Sequence, residues 1–154
     1  TQGLFYGQDL KYNVGIAGLT RWISHGLQKT GQLMDLVAEY TRQINIKADS
    51  PHASIDSLSG GNQQKVLLAR WILLEPRLFL MNEPTRGIDV GAKQEICDVI
   101  LRMSNAGYTF IIASSELEEL IALSDRLIVL NRGKLITTLS RGSITKEAII
   151  KASA

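Results

Sequence analysis

The first candidates for chemistry in this sequence are two polar residues at the end of an apolar run. Residues 78–81 read LFLM, and Asn82, Glu83 and Pro84 follow directly. A carboxylate held at the end of a buried strand could orient or deprotonate a water molecule, which is the work of a general base. The same residues could equally form a strand-to-loop turn whose acid is only solvated. Glu83 is therefore a candidate catalytic residue whose role depends on its neighbours.

A second candidate lies upstream, where Ser59, Gly60 and Gly61 lead into a helical pattern. Two glycines allow backbone N–H groups to approach an anion closely, and a helix N-terminus adds partial positive charge. Ser59 could cap the helix or donate a hydrogen bond to a phosphate oxygen. Taken alone, such a stretch is more often only a cap and a turn.

The elements that would position these residues form an α/β region from residue 58 onward. Residues 62–74 have the wide apolar face of a helix, and residues 90–107 predict a crossover helix that ends at Gly107. Continuous apolar runs predict parallel strands covered on both faces. These runs are residues 77–82, 108–113 and 126–130. A hairpin is expected around Gly133, and Thr145 is a candidate N-cap of a last helix.

The region before residue 58 is predicted to be mostly helical. Apolar residues recur there at helical spacing, and residues 48–54 have the composition of a loop. Cys97, Trp22 and Trp71 are expected in the core, and His25 and His52 on the surface.

Polar pairs follow two of the predicted strands, Asn82–Glu83 after the first and Ser114–Ser115 after the second. In open parallel sheets, ligands sit beyond the carboxyl ends of the strands. We therefore expect both pairs to face one crevice.

Composition excludes several classes of protein. The formal net charge of +2 over 154 residues is too small to favour nucleic acid as a partner. A single cysteine rules out an intrachain disulfide, and no apolar run approaches the roughly 18 residues of a membrane span. Because residue 1 is Thr, we expect a piece of a longer chain.

Together, LSGGNQQK, LFLMNEPT one helix later, and an Asp six residues after the Glu resemble the ATP-binding cassette (ABC) ATPases. Residues 58–63 match the signature motif, Glu83 the catalytic glutamate, and Arg86–Asp89 the D-loop. The resemblance assigns catalysis to Glu83 and Ser115. It assigns nucleotide binding to Leu58, Ser59, Gly60, Gly61, Asn62, Gln63, Asn82 and Asp89. The details are most similar to the second cassette of ribose, galactose and xylose importers, over about residues 1–142.

The resemblance implies a partial P-loop NTPase (RecA-like) core with parallel strands plus a mostly helical subdomain. We expect residues 1–57 to belong to the helical subdomain and residues 58–143 to the nucleotide-binding core. Residues 144–154 would form a C-terminal helix. Half a parallel sheet would leave an unpaired edge and uncovered apolar faces.

The sequence departs from the family pattern at three places. The segment GLQKTGQL (26–33) spaces its glycines like a P-loop, but Gln32 and Leu33 stand where Lys and Ser/Thr are needed, so we reject it. Asn82 replaces the Walker B aspartate and would be a weak Mg²⁺ ligand, at a cost on the order of a few kcal/mol. Ser115 stands where other cassettes carry a histidine. The cassette's own site is therefore expected to be weak or non-hydrolytic, and the chain inactive alone.

The function implied by the resemblance is ATP-driven sugar import. ATP and Mg²⁺ would bind in an assembled cassette pair, where the signature completes the partner's site. The implied partners are a first cassette, integral-membrane permease subunits and, indirectly, a sugar-binding protein. The chain would lie peripherally on the cytoplasmic face of the inner membrane.

Two alternatives remain. One is a non-transport ABC ATPase, although residues 1–57 show no sustained coiled-coil heptads. The other is a non-catalytic module that only binds partners, which Asn82 and Ser115 favour.

Overall fold

Helices alternate with short strands along most of the chain. The computed structural model describes residues 3–19, 23–24, 27–28 and 30–153. The helices are α1 (Leu10–Gly15), α2 (Thr30–Gln43), α3 (Gly60–Ile72), α4 (Val90–Asn105), α5 (Leu117–Leu123) and α6 (Lys146–Ser153). The strands are β1 (Ile23–Ser24), β2 (Leu27–Gln28), β3 (Leu78–Asn82), β4 (Thr109–Ala113), β5 (Arg126–Asn131) and β6 (Lys134–Ser140). Single 3₁₀ turns lie at Ile16–Gly18, Ile55–Ser57 and Arg141–Ser143.

The helix starts predicted after Ser59 and Thr145 and the helix end predicted at Gly107 are confirmed by their caps. Ser59 and Asp89 are the N-caps of α3 and α4, and each side chain accepts a hydrogen bond from a backbone N–H of the first turn. Helix α4 ends just before Gly107, whose φ of 97° lies in the left-handed region that glycine adopts freely. Thr145 caps α6, because its hydroxyl accepts from the backbone N–H of Ala148 at 3.2 Å.

Strands β3 and β4 pair in parallel, with Leu78 opposite Thr109 and Asn82 opposite Ala113, and α4 connects them. The α/β prediction is therefore confirmed. Phe79 and Phe110 stack on the face that packs against the core. On the opposite face Leu80 is 75% exposed and Ile111 59% exposed. The expectation of an uncovered apolar face is confirmed for the residues that the structure describes.

The third apolar run departs from the prediction. Strand β5 pairs antiparallel with β6, through a two-residue turn in which Arg132 and Gly133 both have positive φ. Its burial alternates, with Leu127 and Val129 inside and their neighbours exposed. The hairpin around Gly133 is thus confirmed, whereas a two-sided parallel strand over residues 126–130 is wrong. A tight turn whose twist matches the strands favours this local pairing.

The buried side chains form two clusters. The larger joins α1, α2, α3, α4 and β3, and the smaller lies between the β5–β6 hairpin and α6. Cys97 lies in a buried position on α4, as predicted, but Trp71 is half exposed, so its assignment to the core is wrong. His52 lies on the surface, where its Nδ1 is 3.0 Å from Oδ2 of Asp9.

The segment considered as a P-loop is only partly described. Ile23–Ser24 and Leu27–Gln28 pair antiparallel, and α2 begins at Thr30. Trp22, His25 and Gly26 lie outside the described residues. In the part of the chain that is described, no helix is long and apolar enough to cross a membrane.

Candidate functional site

Glu83 and Ser115 meet at the carboxyl ends of β3 and β4, as the parallel arrangement predicts. The backbone N–H of Ser115 donates to Oε1 of Glu83 at 3.0 Å, and the Ser115 hydroxyl donates to Oε2 at 3.2 Å. The backbone N–H of Glu83 donates to the carbonyl of Ala113 at 2.7 Å, and its φ is 49°. A left-handed backbone at a non-glycine residue is uncommon and often found at functional sites. One residue thus holds both oxygens of the candidate base.

We call residues Ser114–Glu116 the switch segment. Two carboxylates, those of Glu119 and Glu116, hold this segment in place. The Ser114 hydroxyl donates to Oε2 of Glu119 at 2.5 Å and accepts from the backbone N–H of Glu116 at 3.0 Å. Glu116 also forms an ion pair with Lys93 on α4, with Nζ 2.7 Å from Oε1. The hydrogen bond to Glu116 is the main cause that raises the pKa of Lys93. Ser115 therefore sits on a segment that is anchored on both sides.

At the other candidate site, the N-terminus of α3 presents Ser59, Gly60 and Gly61, which we call the signature segment. The Ser59 hydroxyl oxygen accepts from the backbone N–H and from Nδ2 of Asn62, at 3.4 and 3.0 Å. Its own hydrogen is thereby left to donate elsewhere. The backbone N–H of Gln63 is taken by the carbonyl of Ser59 at 2.9 Å. The backbone N–H groups of Gly60 and Gly61 have no acceptor within the helix, as is usual for the first N–H groups of a helix.

The remaining signature side chains are committed within the chain. Oδ1 of Asn62 accepts from the backbone N–H of Lys47 at 2.9 Å. Nε2 of Gln63 donates to the carbonyls of Ile55 and Leu58, both at 3.2 Å. The Leu58 side chain packs against the main core. These side chains shape the loop, whereas Ser59 and Gly60 are exposed.

The two signature glycines have different surroundings. A Cβ at Gly60 would meet only Cγ2 of Ile88 at 3.5 Å, which is ordinary contact. A Cβ at Gly61 would overlap with the Cβ of Ala92 on α4. The sequence suggested that both glycines allow an anion to approach, but Gly61 is also required for the packing of α3 on α4.

The described residues do not offer Mg²⁺ a suitable set of protein ligands. Asn82 ends β3 with an amide, and the Asp89 carboxylate caps α4 by accepting from the backbone N–H of Ala92 at 2.9 Å. Among the residues with described positions, no group of three or more His, Cys, Asp or Glu could hold a metal ion. Mg²⁺ prefers carboxylate and phosphate oxygens in octahedral geometry. The weak-ligand role of Asn82 stays a prediction.

Sequence reasoning missed Lys65, which is only 1% exposed. Its Nζ donates to the carbonyl of Asn45 at 2.8 Å and forms an ion pair with Glu95 on α4. The hydrogen bond from Lys65 is the main cause that lowers the pKa of Glu95. A lysine one helical turn after Gly61 was the available signal, because residues four apart share a helix face.

Comparison with known proteins shows the family of this chain. The family model described as "ABC transporter" matches residues 4–86. The chain belongs to the ABC transporter family. It is 38% identical over 152 residues to a ribose import ATP-binding protein of Geobacillus kaustophilus, covering 99% of the chain and 31% of that protein. It is also 38% identical over 152 residues to a galactose/methyl galactoside import ATP-binding protein of Treponema pallidum, with the same coverage of 99% and 31%. The chain thus spans about three tenths of these relatives.

Solved structures show the same fold at low sequence identity. An ATP-binding cassette of an ABC transporter superposes with a TM-score of 0.78 at 18% identity, covering 95% of this chain and 62% of that one. A cassette dimer in a post-hydrolysis state, bound to ADP and phosphate, gives a TM-score of 0.73 at 19% identity, covering 92% and 61%. The ABC-type ATPase fold of this ABC transporter chain is therefore established.

Proposed function

We propose that this chain is part of the ATP-binding component of a sugar importer. Its signature segment would complete an ATP site whose phosphate-cradling loop belongs to another cassette. The names of the curated relatives support sugar import. The observation that carries the proposal is the exposed Ser59 hydroxyl beside the Gly60 amide, at the N-terminus of a 13-residue helix.

The chemistry of this donor set fits a phosphate. The Ser59 hydroxyl already accepts two hydrogen bonds from Asn62, which leaves it oriented to donate. The partial positive charge of the helix N-terminus adds to this donor and to the Gly60 amide. ATP would supply the free energy of phosphate cleavage, while Ser59 and Gly60 would bind and orient its phosphates. In a cassette pair, Mg²⁺ would be held by the other cassette.

Transport also requires partners. We propose a first cassette, integral-membrane permease subunits that dock on residues 1–57, and, indirectly, a sugar-binding protein. The chain would then lie peripherally on the cytoplasmic face of the membrane. Residues 58–143 would contribute to the nucleotide-binding core, with residues 144–154 as a terminal helix.

The chain's own Glu83 site would contribute little to hydrolysis. Each oxygen of Glu83 already accepts one hydrogen bond from Ser115, so fewer of its lone pairs are left to bind a water. The neighbouring Asn82 supplies an amide in place of a carboxylate.

A chimera tests the proposal. This chain would replace the matching segment of the ribose import ATP-binding protein of Geobacillus kaustophilus, and steady-state ATP hydrolysis would be measured with its permease. Ser59→Ala should lower turnover by about a hundredfold, as is typical for loss of one preorganised donor to developing negative charge. Asn82→Asp serves as the matched control and should change turnover less than twofold. The reverse ranking would contradict the proposal.

A non-catalytic module that only binds partners is the second candidate, and the capped Glu83 carboxylate favours it. This candidate predicts that Ser59→Ala leaves ATP turnover in the chimera unchanged, while the chimera still assembles with the permease. Co-purification of the permease, measured beside turnover, separates the two functions.

A further inference from the structure

The first two turns of α4 contact both candidate sites. On one side, Ala92 packs against Gly61 so closely that no Cβ fits there, and Glu95 pairs with the buried Lys65 of α3. On another side, Lys93 pairs with Glu116 of the switch segment at 2.7 Å. Residues 92 and 95 share one helix face because they are three apart, whereas residue 93 is turned by about 100°. Helix α4 therefore presents different faces to the two segments.

The contact with α3 is constrained in position. Lys65 also donates to the carbonyl of Asn45, at 2.8 Å, so a buried cation joins α3, α4 and the chain after α2. Asn45 has a φ of 53°, which places its carbonyl in a left-handed turn. A second, more distant lysine also faces Glu95, with Nζ of Lys47 3.7 Å from Oε1 of Glu95. Lys65 is buried whereas the Glu95 side chain is 43% exposed, so displacement of Glu95 would leave a buried cation with its charge uncompensated, and the contact resists it.

The contact with the switch segment leads directly to Glu83. Glu116 follows Ser115, whose N–H and hydroxyl hold the two carboxylate oxygens of Glu83. A shift of Lys93 that drags Glu116 would therefore lengthen both hydrogen bonds to Glu83. Besides Glu116, the charges that face Lys93 are those of Glu118 and Glu119 on α5.

We propose that the first two turns of α4 couple the signature segment to the switch segment, with Lys65 and Lys93 as positioning residues. A displacement of Ser59–Gly61 would move Ala92 and Lys93, and Lys93 would move Glu116 and Ser115. The importance of this coupling for transport rests on the proposed function, because only then do the two segments serve two ATP sites. The mechanical link itself needs no nucleotide.

Amide hydrogen exchange, measured by NMR on the whole 154-residue chain without nucleotide, tests the link. The perturbation is Gly61→Ala, which pushes on Ala92. We expect exchange at the Ser115 and Glu116 amides to rise about tenfold, since both are protected by hydrogen bonds to side chains. The matched control is Gly60→Ala, whose Cβ has room, and it should change the same amides less than twofold.

Three further variants test whether the displacement reaches Glu116 and Ser115 through Ala92 and Lys93. In a Lys93→Met background, adding Gly61→Ala should change exchange at Ser115 and Glu116 by less than twofold. In a Lys93→Arg background, the tenfold effect should persist, because the ion pair can form. Ala92→Gly should restore protection in Gly61→Ala, because it removes the overlapping methyl group.

The proposal is overturned if Gly61→Ala raises exchange at Ala92 and Lys93 while Ser115 and Glu116 stay within twofold of wild type. It is equally overturned if the effect persists in Lys93→Met. If Gly61→Ala fails to fold, Ala92→Ser supplies a milder displacement with the same expected pattern. Because no nucleotide is present, a failure of the sugar-import proposal leaves these outcomes unaffected.

Discussion

Arg70 is a buried cation that connects α3 to the start of the chain without a carboxylate partner among the described residues. It is 5% exposed, and its Nε and Nη2 donate to the carbonyl and Oδ1 of Asn13 at 2.6 and 3.0 Å. Its Nη1 donates to the carbonyl of Gly3 at 2.5 Å, and its guanidinium lies 5.5 Å from the ring centroid of Phe5. Burial lowers the pKa of Arg70 from its ordinary value, but the group stays charged at neutral pH.

Arg70→Leu should destabilise the fold by about 3 kcal/mol. A hydrogen bond from a charged donor contributes about 1.5–3 kcal/mol, and three are lost. Burial of the guanidinium away from water offsets part of the free energy that these three hydrogen bonds contribute. The net contribution to stability is therefore that of about one or two strong hydrogen bonds. Arg70→Lys should cost about 2 kcal/mol, because one ammonium group cannot match the planar fork that reaches all three oxygens.

Urea unfolding followed by circular dichroism measures this cost. With a slope of about 2 kcal/mol per molar urea, Arg70→Leu should lower the midpoint by about 1.5 M without changing the slope. The control is Arg102→Leu on the exposed face of α4, which should stay within about 0.5 kcal/mol. A midpoint for Arg70→Leu that matches the control would refute the view that these three contacts stabilise the fold.

Three further predictions concern single groups and the nucleotide. Burial raises the pKa of the Cys97 thiol to about 11, so a thiol reagent at pH 7 should label it at least a hundredfold more slowly in the folded chain than in urea; equal rates would contradict its buried position. Lys65 holds the pKa of Glu95 below its ordinary value, so the contribution of this pair to stability should be fully present above about pH 4.3 and be lost as the pH falls through the lowered pKa. A carbon-13 titration of the Glu95 carboxyl measures its titration midpoint, which should rise in Lys65→Met. An unchanged midpoint would disprove that Lys65 lowers the pKa of Glu95. Calorimetric titration of the chain alone with Mg-ATP to millimolar concentration should show no saturable binding, because the sequence lacks GxxxxGK[ST]; saturable binding would reopen the rejected segment 26–33.

Local signals account for the features that the sequence predicted well. The N-caps at Ser59 and Thr145 and the positive φ at Gly107 depend only on neighbouring residues. The meeting of Glu83 and Ser115 follows from one long-range rule, that parallel strands end at the same edge. These predictions held because each requires a single assumption about the fold.

Features that depend on how two elements pack were not predictable. Nothing in residues 126–130 distinguishes a strand beside β4 from the first strand of a hairpin, since both are apolar. The packing role of Gly61 appears only when Ala92 is known to lie against it. Likewise, the sequence does not reveal that the Lys65 side chain turns inward, because lysine is almost always exposed. The prediction that Trp71 lies in the core was wrong for the same reason, because an apolar helix face does not indicate which of its residues stay exposed.

The uncovered face of β3 and β4 has a thermodynamic consequence. Leu80 and Ile111 already contact water in the folded chain, at 75% and 59% exposure. Unfolding therefore adds little apolar hydration from this face, and the heat capacity change of unfolding should be smaller than it would be if this face were covered. A smaller heat capacity change flattens the dependence of stability on temperature. The same exposed side chains that weaken the fold at room temperature thus make its stability change more slowly on cooling.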